Sequence, residues 1–326
     1  MTQAPEHSSV PALANALSGY GAVPNFLAIV HAVAGDWPEH QTFIAKGLRD
    51  RSPETMRSVE NNAQRIRTIL CDAKVSAEQL GRDYRFLCGK LLEEELHFRR
   101  NQRYRLSTFA EALNQVYTDV EFMHRYMNFL LVSYVLWDNH VRAVWDFEHG
   151  FLPMVRQNAR HLEIGPGHGL LLQLATESPR ICSITGWDVS ATSIEHTRRC
   201  LNAMGTSIPV ELRVQNLFDA PATSVAEFDS MVLSEVLEHL EDPVSALRAV
   251  RSSLSDDGLL WINVPLNSPA PDHIFLIRTL DDALNIVHAG GFIPLRYECF
   301  PMTGVTLAQA WKNALTVSVA ITARKG

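Results

Sequence analysis

The sequence predicts an α/β protein, in which an all-helical N-terminal domain precedes a doubly wound, mainly parallel sheet covered by helices. Between about residues 12 and 151, apolar residues recur at spacings of three and four, and strand-like alternation is hard to find. From residue 160 onward, short apolar runs alternate with helical patterns. A glycine-dense turn directly follows the first of these runs. We therefore expect domains at 1–155 and 156–326, with a ligand site at the carboxyl ends of the strands.

The composition sets limits on partners and location. A chain of 326 residues is long enough for two domains with separate cores. Its net charge of -7 argues against a nucleic-acid partner, which normally meets a basic surface. The longest apolar run, near Phe129–Trp137, is too short to cross a bilayer, and no signal-peptide pattern opens the chain. Five scattered cysteines without C-x-x-C spacing favour free thiols. We expect a cytoplasmic protein with no membrane partner.

Several features can be predicted within the helical domain. The first dozen residues are predicted to be disordered, and Ser52 followed by Pro53 is a helix start. The segment Tyr126–His140 is apolar on nearly every side, which predicts a buried helix. Such a helix lies either in the domain core or at the junction between the domains. The domain as a whole could form the acceptor site or a homodimer interface, and the sequence leaves both open.

Three residues near the end of this helix are candidate pocket residues. Trp137, Asn139 and His140 come shortly before the second domain, and the buried polar pair needs hydrogen-bond partners. Those partners are either structural or belong to the mouth of the active site.

The second domain is predicted to contain seven strands, of which the last two form a hairpin-like pair. In chain order the strands are Arg160–Ile164, Ile181–Trp187, Val210–Gln215, Ser230–Leu233, Leu259–Val264, Leu295–Phe300 and Leu315–Thr322. The helices are Gly169–Glu177, one capped by Ser190 that closes at Gly205, Pro243–Leu254, Asp281–Ala289 and a helical insert at Ala308–Asn313.

The glycine turn has the form E-x-G-x-G-x-G, with Glu163 in the strand and glycines at Gly165, Gly167 and Gly169. Glycine lets the backbone approach a ligand closely, and the helix that follows offers free N–H groups. The turn lacks both G-x-G-x-x-G spacing and the Lys-Ser/Thr of a nucleotide phosphate site. In this form it resembles the first motif of the class I S-adenosylmethionine (SAM)-dependent methyltransferases. The resemblance implies a Rossmann-like methyltransferase domain that uses SAM.

Two further positions fit a SAM site. Asp188 ends the second strand, where a carboxylate can accept hydrogen bonds from both hydroxyls of a ribose. Its alternative role is to cap the next helix beside Ser190. The resemblance implies that Asn216, in place of the family's usual aspartate, reads the adenine together with Leu217. Asp219 is the alternative residue for recognising adenine.

The segment Ser234–Pro243 is similar to the V-L-E-H-x-x-D-P stretch of the methyltransferases of quinone biosynthesis. The resemblance implies that the Ser234 carbonyl holds the amino group of the methionine part of SAM, with Glu163 supporting that cationic end. Glu235, Glu238 and His239 share one face of a helical turn. Related O-methyltransferases can hold a divalent metal there to orient a catechol. We predict no metal, and these three residues are the only candidates.

Methyl transfer from a sulfonium needs mainly alignment, and a base is needed only when the acceptor arrives protonated. Two histidines are candidates for that base. His239 lies in the motif after strand four, and His273 lies beside Asp272 in a proline-rich loop after strand five. Either could instead be a structural hydrogen-bonding residue.

The sequence thus predicts a SAM-dependent methyltransferase that modifies oxygen or nitrogen of a small-molecule or peptide acceptor, in bacterial secondary metabolism. Two other hypotheses stay open. The enzyme could use SAM without net methyl transfer, for hydrolysis or for an assisted cyclisation. The chain could also be an inactive binding protein that has kept the fold, although the intact glycines and Asp188 speak against it.

Overall fold

The computed structural model describes residues 9–49, 51–219 and 227–326, which form a helical domain packed against a seven-stranded sheet domain. The helices of the first domain are α1 (Ser9–Leu17), α2 (Pro24–Asp36), α3 (Gln41–Leu48), α4 (Pro53–Asp72), α5 (Ala77–Asn101), α6 (Phe109–Ala112) and α7 (Val120–Leu136). Helix α8 (Asp138–Trp145) leads into the sheet domain. In the part of the chain that the structure describes, no helix combines the length and apolar character needed to cross a membrane.

The predicted helix start at Ser52 is confirmed, because the Ser52 Oγ accepts a hydrogen bond from the Thr55 N–H at 3.1 Å and Pro53 opens α4. The predicted disordered start is wrong for residues 9–12, which belong to α1. Residues 1–8 lie outside the described residues.

The segment Tyr126–His140 is not one helix. Trp137 has extended backbone angles, φ -90° and ψ 124°, so α7 ends before it and α8 begins after it. The Arg51 guanidinium accounts for the break, since it donates to the carbonyls of Val135 at 2.9 Å and Leu136 at 3.1 Å. These carbonyls would be unsatisfied at a helix end without such a donor.

The sheet contains β1 (Ala159–Ile164), β2 (Ile181–Asp188), β3 (Val210–Val214), β4 (Phe228–Ser234), β5 (Leu254–Leu266), β6 (Phe292–Pro301) and β7 (Val317–Lys325). Its spatial order is β3-β2-β1-β4-β5-β7-β6. The first five strands pair in parallel, and β7 pairs antiparallel with both β5 and β6. The predicted doubly wound sheet and the terminal strand pair are therefore confirmed.

The helices of this domain are α9 (Leu170–Thr176), α10 (Ala191–Met204), α11 (Pro243–Ser253), α12 (Leu280–Ala289) and α13 (Leu307–Asn313). The connection changes direction between β1 and β4, because β2 and β3 lie on one side of β1 and the later strands lie on the other. In an open α/β sheet, ligands bind at such a switch point, beyond the carboxyl ends of the strands.

The two domains are joined by packing as well as by the chain. Val144, Phe147 and Phe151, which belong to α8 and the turn after it, pack in one core with Leu171 and Trp261 of the sheet domain. The sheet-domain core therefore already includes residues N-terminal to the predicted boundary at 155. The boundary itself stays a prediction.

Candidate functional site

The glycine turn lies at the switch point and is open on one side. Gly165, Gly167 and Gly169 have φ values of +65°, +54° and +74°, which side chains larger than glycine rarely adopt. The turn is held in place because the Thr197 hydroxyl donates to the Gly167 carbonyl at 2.6 Å. A Cβ added at Gly167 would meet nothing within 4 Å, whereas one at Gly165 would lie 3.1 Å from the Val236 side chain. The surface at Gly167 can therefore admit a ligand close to the backbone.

Glu163 lies behind this turn with an unsatisfied carboxylate oxygen. The side chain is 3% exposed, and its Oε2 has no hydrogen-bond partner among the described residues. Burial raises the pKa of Glu163 well above its ordinary value. A ligand that brings a cationic N–H donor would supply the partner that this oxygen lacks.

Asp188 ends β2, as predicted. Its Oδ1 accepts a hydrogen bond from the Ser190 N–H at 2.8 Å, so one carboxylate oxygen has the capping role. Burial raises the pKa of Asp188, while hydrogen bonds from the Ser190 and Val189 N–H groups lower it. Because a carboxylate can accept several hydrogen bonds, this capping contact leaves ribose binding by Asp188 open.

Asn216, the residue predicted to recognise adenine, makes a hydrogen bond within its own turn. The Asn216 Oδ1 accepts from the Phe218 N–H at 3.0 Å, at the start of the short 3-10 turn Leu217–Asp219. The Leu217 side chain is buried, and Asn216 is exposed. With its oxygen engaged, Asn216 can offer its amide N–H groups to a ring nitrogen, and its role toward adenine stays a prediction.

At the end of β4 the chain turns sharply and brings together the carboxyl groups of the partly buried Glu235 and the fully buried Glu238. Glu235 has a φ of +52°, and its Oε1 accepts from the Asn263 Nδ2 at 2.7 Å. Glu238 is fully buried, and neither of its carboxylate oxygens has a hydrogen-bond donor among the described residues. Burial raises the pKa of both glutamates, and the carboxyl group of each glutamate also shifts the pKa of the other. Ser234, at the end of β4, contacts Asn263 through its hydroxyl at 3.4 Å.

His239 and His273 face each other with their ring centroids 5.0 Å apart. The His273 Nδ1 lies 2.6 Å from the Ser268 carbonyl oxygen, and the His239 Nδ1 lies 3.1 Å from the Asp272 carbonyl oxygen. A carbonyl can only accept, so the Nδ1 of each ring donates, and the neutral His273 ring keeps a free lone pair on its Nε2. Burial lowers the pKa of His273 to about 4, so its ring is neutral at pH 7.

Two tyrosines of the helical domain complete this group. The Tyr126 hydroxyl donates to the Asp272 Oδ1 at 2.9 Å, and the Tyr117 hydroxyl donates to the Asp272 Oδ2 at 3.2 Å. We call the six residues Tyr117, Tyr126, Glu238, His239, Asp272 and His273 the polar cluster.

The polar cluster includes a set of ligand atoms close enough to hold a metal ion. Atoms of Glu238, His239 and His273 lie within 4.8 Å of one another. This set differs from the predicted candidates, because His273 takes the place of Glu235. The Glu235 Oε1 is instead bound by Asn263.

The three candidate pocket residues lie in different surroundings. His140 lines a small cavity with Tyr134, Ser234 and Glu235, and burial lowers the pKa of His140 to about 4. The Trp137 Nε1 instead donates to the Tyr84 hydroxyl at 2.8 Å in the helical core. The Asn139 Nδ2 donates to the Ser318 hydroxyl of β7 at 3.0 Å. Of the three, the structure brings His140 to the end of β4.

Sequence reasoning missed the tyrosines Tyr104, Tyr117, Tyr126 and Tyr134. The hydroxyl of Tyr104 accepts from the Ser268 N–H at 3.1 Å, and Tyr134 packs edge-on against His168 of the glycine turn, with ring centroids 4.9 Å apart. In the sequence these residues look like ordinary core aromatics at helical spacing. No signal in one sequence relates Tyr134 to the glycine turn, or relates the other three to a loop more than 100 residues away.

The known proteins that this chain resembles include methyltransferases. A family profile described as a methyltransferase domain matches residues 138–314. The ubiquinone biosynthesis O-methyltransferase of Xanthomonas campestris pv. campestris (strain B100) is 31% identical over 112 residues, which cover 34% of this chain and 45% of that protein. The protein of the same name from Xanthomonas oryzae pv. oryzae (strain PXO99A) is 30% identical over the same shares. The chain thus matches less than half of the length of these curated relatives.

Solved structures of methyltransferases are also similar. The mitomycin 7-O-methyltransferase MmcR is 14% identical with a TM-score of 0.49, and the match covers 79% of this chain and 72% of that one. A SAM-dependent methyltransferase from Mesorhizobium loti is 19% identical with a TM-score of 0.43, covering 56% of this chain and 98% of that one.

Proposed function

Since the chain belongs to the methyltransferase-domain family and is a class I SAM-dependent methyltransferase, we propose that it methylates a hydroxyl group of a small-molecule acceptor bound at the polar cluster. The observation that carries this proposal is the free Nε2 lone pair of His273. Methyl transfer to a hydroxyl releases a proton, and an amine that arrives neutral needs no base. A buried, neutral imidazole can accept the proton that the hydroxyl releases. The O-methyltransferase names of the curated relatives support the same choice.

The proposed donor site uses the residues around the glycine turn. When bound there, SAM would supply the methyl group from its sulfonium, and its sulfur would be left as a neutral thioether. The open surface at Gly167 can admit the donor close to the backbone. The unpartnered Glu163 Oε2 fits the ammonium of its methionine part, and the Asp188 carboxylate fits its ribose. These residues fit SAM because the ligand would supply the hydrogen-bond donors that the site lacks.

The proposed acceptor site uses His273 as the proton acceptor. The Ser268 carbonyl holds the His273 Nδ1–H at 2.6 Å, so the ring is fixed in one tautomer. The His273 Nε2 would accept the proton that the acceptor hydroxyl loses on methylation. Tyr117 and Tyr126 hold Asp272, the neighbour of His273, and so fix the loop that carries the base.

This function can be tested by incubating the purified protein with SAM and a panel of phenols, catechols and aliphatic alcohols. Mass spectrometry should detect adenosylhomocysteine together with an acceptor heavier by one methyl group. We expect the H273N variant to lower kcat by roughly 10²-fold to 10⁴-fold, the usual contribution of a general base. The matched control is H149N, because His149 is exposed and lies outside the polar cluster. Undiminished turnover by H273N would exclude His273 as the base. Loss of SAM without a methylated product would instead favour hydrolysis or an assisted cyclisation.

A further inference from the structure

His273 lies below the protein surface, although its proposed role needs contact with the acceptor. His273 is 6% exposed, and its neighbour Asp272 is 3% exposed. The side chain of His239 is 22% exposed, so solvent reaches the edge of the polar cluster. The small exposed area of His273 leaves no room for an acceptor. An acceptor can therefore meet the His273 Nε2 only after the residues that cover this histidine have moved.

Residues 102–119, which connect α5 to α7, provide this cover, and we call them the covering segment. The Tyr104 ring lies edge-on to the His273 ring, with the ring centroids 5.8 Å apart. Toward the other end of the covering segment, the Tyr117 hydroxyl contacts Asp272 and His239. The covering segment thus contacts both of the loops that carry the candidate histidines.

The covering segment has a small apolar core. Leu106, Ala112 and Val116 form a buried cluster, against which Ile274 of the sheet domain packs. On the outer surface, Phe109 and Leu113 are 39% and 43% exposed. A segment that buries little apolar surface can separate from the rest of the protein at a lower cost in free energy than the main cores can.

Hydrogen bonds also hold the covering segment against the sheet domain. The Phe109 N–H donates to the Glu241 Oε1 at 3.0 Å, and both residues are exposed. The Tyr104 hydroxyl accepts from the Ser268 N–H at 3.1 Å. Water can replace these bonds when the segment moves away, so each contributes only the small net free energy of one hydrogen bond to closure.

Both ends of the covering segment are fixed by hydrogen bonds within the adjoining helices. Gln102 ends α5 in the left-handed conformation, with a φ of +55°, and its N–H donates to the Phe98 carbonyl at 2.7 Å. Asp119 precedes α7, where its Oδ1 accepts from the Phe122 N–H at 2.9 Å. Because these bonds do not involve the rest of the covering segment, it can move while α5 and α7 stay intact.

We propose that the covering segment is a lid, which Tyr104 fastens beside His273 and which must open for the acceptor to reach the His273 Nε2. Gln102 and Asp119, at the ends of the two helices, are the positions about which the lid turns. This inference rests on the proposed acceptor site at His273, but its test measures the opening itself.

Histidine modification measures this opening in the wild-type protein. Diethyl pyrocarbonate acylates unprotonated histidine nitrogens, and peptide mass spectrometry gives the rate at each histidine. The reference is His161 of β1, which is fully buried and, like His273, neutral at pH 7 because burial lowers its pKa. We expect His273 to react at least about tenfold faster than His161, because opening of a segment needs less free energy than global unfolding. Equal rates at the two histidines overturn the inference.

Two variants should release the lid. Glu241→Ala removes one of its hydrogen bonds to the sheet domain, and Tyr104→Phe removes another while keeping the ring. Each variant should raise the rate at His273 by about fivefold to tenfold, the size of one hydrogen bond, and leave the rate at His161 unchanged. A rate at His273 that stays the same in both variants contradicts the lid.

The matched controls are Glu195→Ala on the exposed surface of α10 and Tyr297→Phe on exposed β6. Both controls should leave the two histidine rates as they are. A rate at His273 that rises equally in the controls, or that rises together with the rate at His161, would reflect loss of global stability and overturn the inference.

Failure of the lid and failure of the proposed function give different results. Methylated products together with equal rates at His273 and His161 overturn the lid and leave the methyltransferase function standing. Faster reaction at His273 without any methylated acceptor supports the lid and counts against the proposed function.

Discussion

The Tyr117 hydroxyl, in the helical domain, lies 3.2 Å from the Asp272 Oδ2, in the loop after β5, across a separation of 155 residues in the chain. The same hydroxyl lies 3.3 Å from the His239 Nδ1. Tyr117 thus contacts both of the segments that carry the candidate histidines. The proposed acceptor site therefore draws residues from both the helical domain and the sheet domain.

Tyr117→Phe should test this relationship. The variant leaves one buried Asp272 oxygen without its donor, so we expect the free energy of unfolding to fall by about 1–2 kcal/mol. We also expect kcat/KM for the acceptor to fall while the Kd for SAM stays the same, since Tyr117 belongs to the acceptor side. Urea unfolding and calorimetry measure these quantities. Tyr297→Phe on exposed β6 is the control. Equal effects of the two variants would show that the Tyr117 hydroxyl has no special role.

Asp188→Asn should weaken SAM binding. An amide can accept one hydrogen bond at its oxygen but has lost the charge and the second acceptor, so we expect roughly a tenfold to hundredfold rise in Kd. Calorimetric titration with SAM and adenosylhomocysteine gives the values. Asp256→Asn, which removes a carboxylate that is paired with Lys325 at the surface, controls for charge. Unchanged affinity for Asp188→Asn would rule out the ribose assignment.

Gly167→Ala separates backbone strain from ligand exclusion. The substituted residue would keep a positive φ, although its added Cβ would lie in open space. We therefore expect the free energy of unfolding to fall by about 1 kcal/mol, and the Kd for SAM to rise by about tenfold or more. Gly304→Ala provides a matched control because Gly304 also has a positive φ, +77°, and lies beside Lys46, outside the glycine turn. The midpoint temperature of thermal unfolding should fall by a similar amount in both variants. SAM affinity that falls equally in both would show that the turn does not approach the ligand.

His161 makes stability depend on pH. Burial lowers its pKa to about 3, so the folded protein keeps the ring neutral while the unfolded chain binds a proton below about pH 6.5. The stability from His161 is therefore present above pH 6.5 and is lost as the pH falls toward the folded pKa. The loss should be about 2 kcal/mol between pH 7 and pH 5.

Urea unfolding of the wild type and of H161Q at several pH values measures this effect. The difference in unfolding free energy between the two proteins should change by that amount over the interval. His31→Gln, at an exposed position on α2, should leave the pH dependence as it is. A parallel pH dependence in the wild type and H161Q would contradict the burial effect.

The sequence was sufficient for most of the sheet domain. The seven strands, Ser190 as a helix cap and the closing pair β6 and β7 follow from local patterns of apolar residues and turn residues. Prediction from the sequence failed where a contact with a distant residue decided the local structure. The helix predicted over Tyr126–His140 breaks at Trp137 because the Arg51 guanidinium binds the two carbonyls before it, and Arg51 is more than 80 residues away.

The donor side and the acceptor side of the site differ in the same way. Glu163, the three glycines and Asp188 stand within one β-α-β segment, so their chemistry and spacing could be read along the chain. The acceptor side depends on which aromatic residues of α7 and the preceding segment meet the loop at Asp272. It also depends on which histidine nitrogens the Ser268 and Asp272 carbonyls contact. Local spacing fixes hydrogen bonds between near neighbours, and the sequence by itself therefore determined the fold class, the methyltransferase family and the glycine turn. Only the tertiary structure decided how Glu238 is buried and how Tyr117 and Tyr126 meet Asp272, because burial and long-range hydrogen bonds exist only once the two domains are packed together.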